Sequence, residues 1–466
     1  MVNLSLYGGV NMNNYDIIFV GAGAAGVFAA YEFTKMQTNK KILIIDSGNI
    51  IHKRKCPIAE GKVKNCIRCN PCNIMEGFGG AGTLSDGKYN ITNEFGGELH
   101  TILGNEKAIE LMEYVDSVLV SFDTEESKLY ETASTDLKTL CLKNNLHLLN
   151  AKVRHFGTDR NVEILKKIYD YTKDTVNYMF NTTASDIEYD GNTYSVITDN
   201  GTFTCDKLVL ASGRSGSKWM SKVFDKFGIE TCSNRVDIGV RVELPAEIFK
   251  HITDEVYESK IIYKTNQYND LVRTFCMNPY GVVVTENTNG VITVNGHSYA
   301  GEDKRSPNTN FALLVSNTFT EPFKDSNEYG ESIARLSNML GGGVILQRFG
   351  DLVKGRRSSE RRMKKCFTEP TLKATPGDLS LVIPKRQLDT IIEMIYQLDK
   401  IAPGTANEDT LLYGVEVKFY NSKVTIDQKF ETTQKGLYAV GDGSGLTHSL
   451  SQASASGIEI ARILNN

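Results

Sequence analysis

Residues 16–46 hold a glycine-rich loop between two apolar segments, and this arrangement restricts the fold more than any other feature of the chain. The first segment, DIIFV, predicts a buried strand, because apolar β-forming residues run there without alternation. The loop is followed by a helical stretch and by a second apolar strand that ends at Asp46. In this order, Gly21 permits a tight turn, Gly23 lets the backbone approach a diphosphate, and Gly26 lets the helix pack on the strand. Since a helix N-terminus attracts phosphate and Asp46 can accept ribose hydroxyls, the pattern predicts a dinucleotide site.

A second glycine-rich segment lies near the C-terminus, at residues 436–457. A short strand, LYAV, leads to Gly441, Asp442, a glycine-rich turn and a helix of small residues. This order resembles the second FAD motif of flavoproteins with two dinucleotide-binding domains, in which the aspartate holds the ribityl chain. The helix N-terminus would favour the negative charge that develops at the flavin N1–C2=O edge on reduction. A third fragment, residues 207–216, resembles the strand and turn by which the chain returns to the cofactor, and the three fragments together predict FAD rather than NAD.

The cofactor contacts expected from these fragments, and from the glycines that follow residue 79, form one set. It comprises Gly21, Gly23, Ala24, Ala25, Gly26, Asp46, Ser47, Gly80, Ala81, Gly82, Thr83, Ser85, Asp86, Gly87, Ala211, Ser212, Gly213, Gly441, Asp442, Gly443, Gln452 and Ala453. The sequence has no second complete GxGxxG motif with a following acid, so no dedicated NAD(P)H-binding domain is expected. Electrons would then come from transient contact with NAD(P)H, from an electron-carrier protein or from the substrate itself.

A run of cysteines precedes the glycines of residues 79–87: Cys56, Cys66, Cys69 and Cys72. Their spacing, with a proline after the first, resembles the ligand run of a bacterial ferredoxin in reversed order. Four thiolates on one loop can hold a [4Fe–4S] cluster or a zinc ion, and a redox-active dithiol is the third interpretation. The loop leads directly into residues 80–88, whose backbone is expected to pass beside the diphosphate and the flavin. A cluster in this loop would therefore exchange electrons with the flavin.

The overall composition excludes several classes of protein. The net charge of the 466 residues is −4 and the isoelectric point is about 6.1, which argues against a nucleic-acid surface. No run of about eighteen apolar residues occurs, so no membrane span is expected. Residues 1–14 lack the basic start and apolar core of a signal peptide, and a cytoplasmic location is therefore expected. In that compartment, clustered cysteines indicate metal or redox chemistry rather than disulfides.

Several motifs together carry a resemblance to a known family. They are CPIAEGK…C..C.PCNIM.GFGGAGTLSDGK (56–88), RHFGTDR (154–160), RTFCMNPYGVVV (273–284), NGHSYA (295–300), SPNTNFALLVS (306–316), LYGVEVKFY (412–420) and GDGSGLTHSLSQASASG (441–457). With these motifs the chain resembles the bacterial FAD-dependent dehydrogenases, an NAD(P)/FAD-dependent oxidoreductase family of the two-dinucleotide-binding-domain superfamily. The resemblance implies an α/β protein with a Rossmann-like FAD-binding domain of parallel sheet and helices.

The residues between the FAD motifs predict an inserted antiparallel, mixed α+β substrate domain. Residues 237–243 alternate like a sheet strand, and residues 261–294 contain several more short strands. Residues 388–401 (LDTIIEMIYQLDKI) predict an amphipathic helix. The expected domains are the N-terminal part of the FAD-binding domain with the cysteine-rich loop at 1–232, the substrate domain at 233–410, and the C-terminal part of the FAD-binding domain at 411–466.

The candidates for catalysis are polar residues in otherwise apolar settings: Arg154, His155, Arg273, Tyr280 and His297. His155 is the preferred proton donor or base, since imidazole titrates near neutrality. A basic run at residues 355–365 is expected to be a solvated face, or else a docking surface for an acidic carrier or a nucleotide phosphate.

The leading functional hypothesis is an FAD-dependent oxidoreductase, a dehydrogenase or reductase that moves a hydride between flavin N5 and a small organic substrate. The first alternative is a ferredoxin-linked or iron–sulfur flavoprotein reductase that uses the cysteine run. The alternative of another class is a flavin-dependent RNA-modifying methyltransferase or a non-redox flavin-binding protein. The acidic isoelectric point argues against an RNA partner.

Overall fold

Two large sheets, one mainly parallel and one mainly antiparallel, make up most of the protein. The computed structural model describes residues 13–57, 60–63, 67, 69–132, 135–256, 258–288, 290–298, 305–320, 322–323 and 325–466. None of the described helices is long and apolar enough to cross a bilayer.

The first sheet has seven strands around a parallel core. They are β1 (Asn14–Val20), β2 (Ile42–Ile45), β7 (Asn177–Met179), β8 (Ala184–Tyr189), β9 (Tyr194–Thr198), β10 (Gly201–Leu210) and β22 (Leu437–Ala439). β1 lies between β2 and β10, while β7 and β22 extend the sheet on either side, and these four pairings are parallel. β8 and β9 add an antiparallel hairpin to β10. The carboxyl ends of β1, β2, β10 and β22 therefore meet at one edge, where open α/β sheets bind their ligands.

Helices cover both faces of this sheet, as the expected Rossmann-like domain requires. One face packs against α1 (Ala24–Lys35), α3 (Asn105–Phe122), α5 (Thr158–Thr172) and α12 (Leu450–Asn465), and the other packs against α6 (Ser217–Lys226). A Cβ on Gly457 of α12 would lie 2.1 Å from the Ala25 carbonyl oxygen, so the glycine permits the close packing of α12 on α1. A short helix, α2 (Leu99–Leu103), and a small sheet lie beside them, the sheet consisting of β3 (Lys88–Ile91), β4 (Leu129–Glu131) and β6 (Lys152–His155).

The second sheet has eight strands, antiparallel except for one pair at its edge. They are β5 (Leu146–Leu148), β12 (Val236–Pro245), β13 (Ile261–Lys264), β14 (Leu271–Asn278), β17 (Asn308–Asn317), β18 (Ile345–Arg348), β19 (Thr375–Pro376) and β20 (Leu411–Lys418), and the parallel pair is β18 with β19. The remaining strands form two short ribbons, β11 (Thr231–Cys232) with β21 (Lys423–Val424), and β15 (Val282–Thr288) with β16 (Val291–His297). The associated helices are α4 (Thr135–Lys143), α7 (Ala246–Thr253), α8 (Ser326–Gly341), α9 (Phe349–Val353), α10 (Glu360–Met363) and α11 (Lys385–Asp399), the last of which was predicted from its periodicity.

The alternation of β12 explains why the second sheet has two different faces. Its even-numbered residues, from Val236 to Leu244, belong to a large apolar core that includes α11. Asp237, Arg241 and Glu243 are equally buried but point to the opposite face, since successive strand residues alternate. Arg273 and Lys418, which lie on this face in β14 and β20, line the cleft described below together with residues of the first sheet.

The expected domain boundary at residue 410 stays a prediction. The strand that follows it, Leu411–Lys418, nevertheless lies in the second sheet, because it pairs with both β12 and β18. Residues 146–148 also join that sheet, next to β13, although they precede the expected insertion. The second sheet is thus assembled from a longer part of the chain than residues 233–410.

Candidate cofactor and substrate site

A cleft of about 640 Å³ runs between the carboxyl edge of the first sheet and the polar face of the second. This volume is within the range of ligand pockets, roughly 300–1,000 Å³. Most of the residues predicted to contact the cofactor line it: Gly21, Gly23, Ala24, Ala25, Asp46, Ser47, Gly80, Ala81, Gly82, Ser85, Asp86, Ala211, Ser212, Gly213, Gly441, Asp442 and Ala453. Fragments far apart in the sequence therefore meet at one site, while their contacts with FAD stay a prediction.

The other predicted contact residues are not among those that line the described cleft: Gly26, Thr83, Gly87, Gly443 and Gln452. A Cβ on Gly26 would lie only 2.3 Å from the Gly21 carbonyl oxygen, so this glycine permits the helix to approach the turn. The Gln452 amide donates to three carbonyl oxygens of the loop at 92–97, at 3.2 to 3.4 Å. The contacts of these residues with FAD also stay a prediction.

The part of the cleft beside β1 fits a diphosphate. Helix α1 begins at Ala24 without a side-chain cap, which leaves its first amides available to an anion. A Cβ on Gly23 would meet just one group within 4 Å, the Ala211 carbonyl oxygen at 3.9 Å, so the space in front of Gly23 is open. The Ser212 hydroxyl is buried and has no hydrogen-bond partner among the described residues. A bound dinucleotide would place its phosphates at the uncapped helix and fill the open space in front of Gly23. It would also give the Ser212 hydroxyl a hydrogen-bond partner.

A second helix begins at the same cleft. Leu450 and Ala453, in the first turn of α12, line the cleft. The Ser449 hydroxyl caps this helix by accepting a hydrogen bond from the backbone amide of Gln452 at 3.2 Å. The positive end of the helix dipole thus lies at the cleft, where it favours a negatively charged ligand group.

Asp46 holds together the loops at the end of β2. Its carboxylate accepts hydrogen bonds from the backbone amides of Ala22, Gly48 and Gly77, each at 2.8 Å. Asp46 therefore has a structural role in addition to the expected contact with the ribose, which stays a prediction. Glu76, which the sequence analysis missed, also lines this part of the cleft and accepts a hydrogen bond from Ser47 at 2.7 Å. A carboxylate at this position is a second candidate for binding the ribose hydroxyls.

Arg54 fixes the loop that carries the predicted glycines of residues 79–82. Its guanidinium donates to the carbonyl oxygens of residues 73, 74, 78 and 80 at 2.7 to 3.0 Å, and to the Thr83 hydroxyl at 2.7 Å. The side chain is buried, and this burial lowers the pKa of Arg54 to about 10. The same loop is tied to the first glycine turn by a hydrogen bond from the Gly79 amide to the Ala22 carbonyl oxygen at 2.7 Å. Sequence reasoning missed Arg54 because an isolated arginine gives no local signal.

One cysteine of the run, Cys72, lies near the Asp46 end of the cleft, since Cys72 and Asp46 both interact electrostatically with the Arg54 guanidinium. Cys66 is outside the described residues, while Cys56, Cys69 and Cys72 are free thiols. Among the described residues, no group of three His, Cys, Asp or Glu side chains is placed to hold a metal ion. Asn70, between the last two cysteines, lines the cleft together with Glu76. The iron–sulfur and zinc interpretations remain predictions.

The opposite end of the cleft contains a cluster of buried charges. Lys88 Nζ lies 3.0 Å from Asp86 Oδ2 and 3.4 Å from Glu258 Oε2. Lys260 Nζ lies 3.3 Å from Glu258 Oε1 and 4.2 Å from the ring centres of both Phe95 and Phe275. Burial alone would raise the pKa of Glu258, but the two ammonium groups lower it to about 2. The Glu258 carboxylate is therefore ionised, and it holds both lysines at the surface of the cleft.

Two of the predicted catalytic residues lie next to this cluster but do not line the cleft. Burial, followed by the charge of Lys88, lowers the pKa of His155 to about 4. Burial also lowers the pKa of His297, again with Lys88 acting in the same direction. Both imidazoles are therefore neutral at pH 7. A neutral imidazole can accept a proton, and the expected role of His155 as proton donor or base stays a prediction.

A further group of cleft residues surrounds Arg273, the one predicted catalytic residue that lines the described cleft. Its guanidinium pairs with the fully buried carboxylate of Asp237 and donates to the Tyr420 hydroxyl at 3.0 Å. Tyr420 also donates to Asp237 at 2.6 Å, and its ring is 4.5 Å from that of His448. Burial raises the pKa of Asp237, but Arg273 and Arg235 outweigh this effect and lower it, so the pair is ionic.

The remaining two predicted catalytic residues have other surroundings. Arg154 forms a bidentate pair with Asp116, at 2.6 and 2.7 Å, and thereby joins β6 to α3. Tyr280 lies in the turn between β14 and β15 with a φ of 52°, and its ring faces the guanidinium of Arg305 at 5.9 Å. Neither residue lines the cleft. Their catalytic roles are untested, and their positions favour structural ones.

The basic run at residues 355–365 is partly used inside the fold. The buried carboxylate of Asp351 accepts hydrogen bonds from Arg356 at 2.7 Å, Ser358 at 2.9 Å and Arg362 at 3.1 Å. Two of its arginines are therefore committed to an internal acid, and the docking alternative for this run stays a prediction.

The structure combines a glycine turn at a helix N-terminus, an acid after the second strand, and a second sheet across a cleft. This is the α/β arrangement that the sequence predicted for a protein that binds FAD. In agreement, residues 235–419 match the family model described as "FAD-dependent protein, C-terminal domain-like". This match covers the second sheet from its first long strand, β12, to the end of β20.

The chain is also similar to individual proteins. An uncharacterized protein of Clostridium beijerinckii is 26% identical, over 95% of this chain and 79% of that protein. Among solved structures, glycine oxidase from Geobacillus kaustophilus has a TM-score of 0.41 at 11% identity, with 97% of this chain and 95% of that chain covered. The p-nitrophenol 4-monooxygenase PnpA from Pseudomonas putida has a TM-score of 0.39 at 7% identity, covering 97% and 80%. These structural likenesses are weak, and neither enzyme's substrate is carried over to this chain.

Proposed function

We propose that this protein transfers a hydride between FAD and a small organic substrate. The observation that carries the proposal is the continuity of the cleft, which joins the diphosphate-binding turn to the charged cluster on the second sheet. When bound, FAD would supply the group that accepts or donates the hydride. The residues of the chain bind it through the α1 and α12 N-termini and through the loops at the ends of β1, β2, β10 and β22.

In this proposal the charged cluster shields hydride transfer from water and provides the groups that donate or accept the accompanying proton. Lys88 lines the cleft, its side chain is 9% exposed, and it is in contact with both Asp86 and Glu258. In our proposal Lys88 and Asp86 form the proton-transferring pair, because they are 3.0 Å apart and both face the cleft. Glu258 and Lys260 keep Lys88 in position and exclude water from this end.

An anaerobic experiment tests the function. Purified protein should contain about one FAD per chain, and NADH, NADPH or a chemical reductant should reduce it before candidate acceptors reoxidise it. A nicotinamide donor deuterated at C4 should slow the reduction if a hydride is transferred. Protein that cannot be reduced, or that passes a carbon unit from the flavin to RNA retained at low salt, would contradict the proposal. Stoichiometric iron and sulfide would instead support the iron–sulfur reductase.

Lys88 offers a test of the mechanism that is separate from cofactor binding. General acid–base catalysis contributes about 10²- to 10⁴-fold, so Lys88→Met should slow substrate turnover by roughly 10²-fold or more at unchanged FAD content. Lys62→Met is the matched control, because the Lys62 side chain is 67% exposed and pairs with Glu60 away from the cleft. If both variants turn over at the same rate, Lys88 has no part in the proton transfer.

A further inference from the structure

Two arginines that line the cleft share one carboxylate. Arg273 projects from β14 beside Phe275, and Arg235 lies just before β12. The Asp237 carboxylate lies close enough to both guanidiniums to be stabilised by them, and it pairs directly with Arg273. Arg235 packs over the Tyr420 ring at 5.1 Å and has no ion pair within 4 Å among the described residues. This part of the cleft therefore has a positive charge that the described residues do not neutralise.

Arg273 also has hydrogen-bond donors that do not donate to any described residue. Its two hydrogen bonds to described residues, to Asp237 and to Tyr420, both run through Nη2. Its Nε is buried and donates to no described residue. A largely buried guanidinium with five donors, most of which donate to no described residue, would be completed by an acceptor in the cleft. Because planar guanidinium groups match carboxylates in a bidentate geometry, an anionic ligand would complete it.

The surroundings hold Arg273 in place and favour an organic ligand. Asp237 is fully buried and is itself fixed by hydrogen bonds from Ser316 and Tyr420, each at 2.6 Å. The guanidinium lies 5.2 Å from the Phe275 ring, and that ring and Tyr420 provide aromatic surfaces beside the two arginines. Inorganic phosphate has no apolar group to contact these rings, whereas the carbon skeleton of a carboxylic acid would pack against them.

We infer that the substrate is a small organic carboxylate whose anionic group is bound by Arg273 and Arg235. The inference rests on the proposed function, since it concerns the same cleft. Arg273 and Arg235 would fix the carboxylate, and the rest of the substrate would extend towards Lys88 and Asp86. Arg273 thus receives a binding role in place of the general catalytic role expected from the sequence.

Binding of simple probes to the FAD-containing protein tests this inference through perturbation of the flavin spectrum. Benzoate should bind, its neutral isostere benzamide should bind at least tenfold more weakly, and inorganic phosphate should cause no change at the same concentration. Arg273→Met and Arg235→Met should each weaken benzoate binding at least tenfold, and Arg273→Lys should retain part of it. Arg235→Met leaves the Arg273–Asp237 pair intact, so it remains informative if Arg273→Met fails to fold.

The matched control is Arg386→Met, since Arg386 is 62% exposed and pairs with Asp270 away from the cleft. The inference would be overturned if benzoate caused no response, or if benzamide or phosphate gave the same response as benzoate. It would also be overturned if both arginine variants bound benzoate as tightly as the wild type. Failure of the proposed function has a different signature, namely a flavin that no hydride donor reduces although benzoate still binds in a charge-dependent manner.

Discussion

Alanine at Gly26 should lower the stability of the protein, whereas alanine at Gly23 should weaken FAD binding, although the two glycines belong to the same motif. A Cβ on Gly26 would lie 2.3 Å from the Gly21 carbonyl oxygen, so backbone must move. Overpacking of this kind costs about 1–3 kcal/mol. A Cβ on Gly23 would approach the protein no closer than 3.9 Å, and the backbone there, with φ −70° and ψ −169°, suits alanine. Gly23→Ala should therefore change the stability of the protein without FAD by less than about 1 kcal/mol.

The cost of Gly23→Ala should instead appear in cofactor affinity. Its methyl group would occupy the open space through which the α1 N-terminus faces the cleft. Loss of one backbone hydrogen bond to a charged group costs about 1.5–3 kcal/mol, which corresponds to a dissociation constant roughly 10- to 150-fold higher. Titration of the apoprotein with FAD, followed by flavin fluorescence, measures this change, and urea denaturation of the apoprotein measures stability. Wild-type FAD affinity in Gly23→Ala, or equal destabilisation by the two substitutions, would refute the reasoning.

Three further predictions concern single ionisable groups. Glu258→Gln removes the carboxylate that pairs with buried Lys260, so urea denaturation should show a loss of stability of roughly 3–5 kcal/mol. The control, Glu331→Gln in a partly exposed pair with Arg335, should lose less than about 1 kcal/mol. His155 has a pKa of about 4 in the fold, so its contribution of about 3 kcal/mol is complete above pH 6.5 and is lost as the pH falls towards 4. His155→Gln should lack this part of the acid destabilisation. Arg54→Lys should weaken FAD binding about tenfold or more, because an ammonium group cannot make all five hydrogen bonds.

Each of these predictions has a clear contrary result. A Glu258→Gln protein as stable as the wild type would mean that the two lysines do not depend on the carboxylate. Parallel stability curves of the wild type and His155→Gln between pH 7 and pH 5 would contradict a neutral, buried imidazole. Unchanged FAD affinity in Arg54→Lys would show that the loop keeps its shape without the guanidinium.

The cofactor end of the cleft could be predicted from the sequence because its determinants are local. The turn from Gly21 to Gly26 lies within one strand–helix unit, and its spacing alone fixes how a diphosphate can approach. The later segment with Gly441 and Asp442 has the same property, and the structure places both segments in the cleft. Even here, Arg54 and Glu76 were missed, since each acts through a loop whose path no short motif specifies.

The substrate end could not be predicted in the same way, because strand pairing creates it. Glu258 precedes β13, Arg273 lies on β14 and Lys88 on β3, and only the folded chain brings the three to one cleft. The choice of His155 as an acid or base rested on the usual pKa of imidazole, whereas burial and Lys88 change that value. One sequence signal was available, since β12 alternates apolar residues with charged ones, and charged residues on a buried strand indicate a polar interior face.

That polar face also limits where substrate specificity can change. The three charged side chains of β12 are fully buried. Arg241 pairs with Glu416 at 2.7 and 2.8 Å, and Glu243 accepts a hydrogen bond from Tyr413 at 2.5 Å, while Asp237 pairs with Arg273. Removing one member of such a buried pair leaves the other uncompensated, which costs several kcal/mol, so these positions are constrained by folding. Arg235, by contrast, faces the cleft without an ion pair among the described residues, and its replacement would alter the ligand's surroundings while the buried pairs persist.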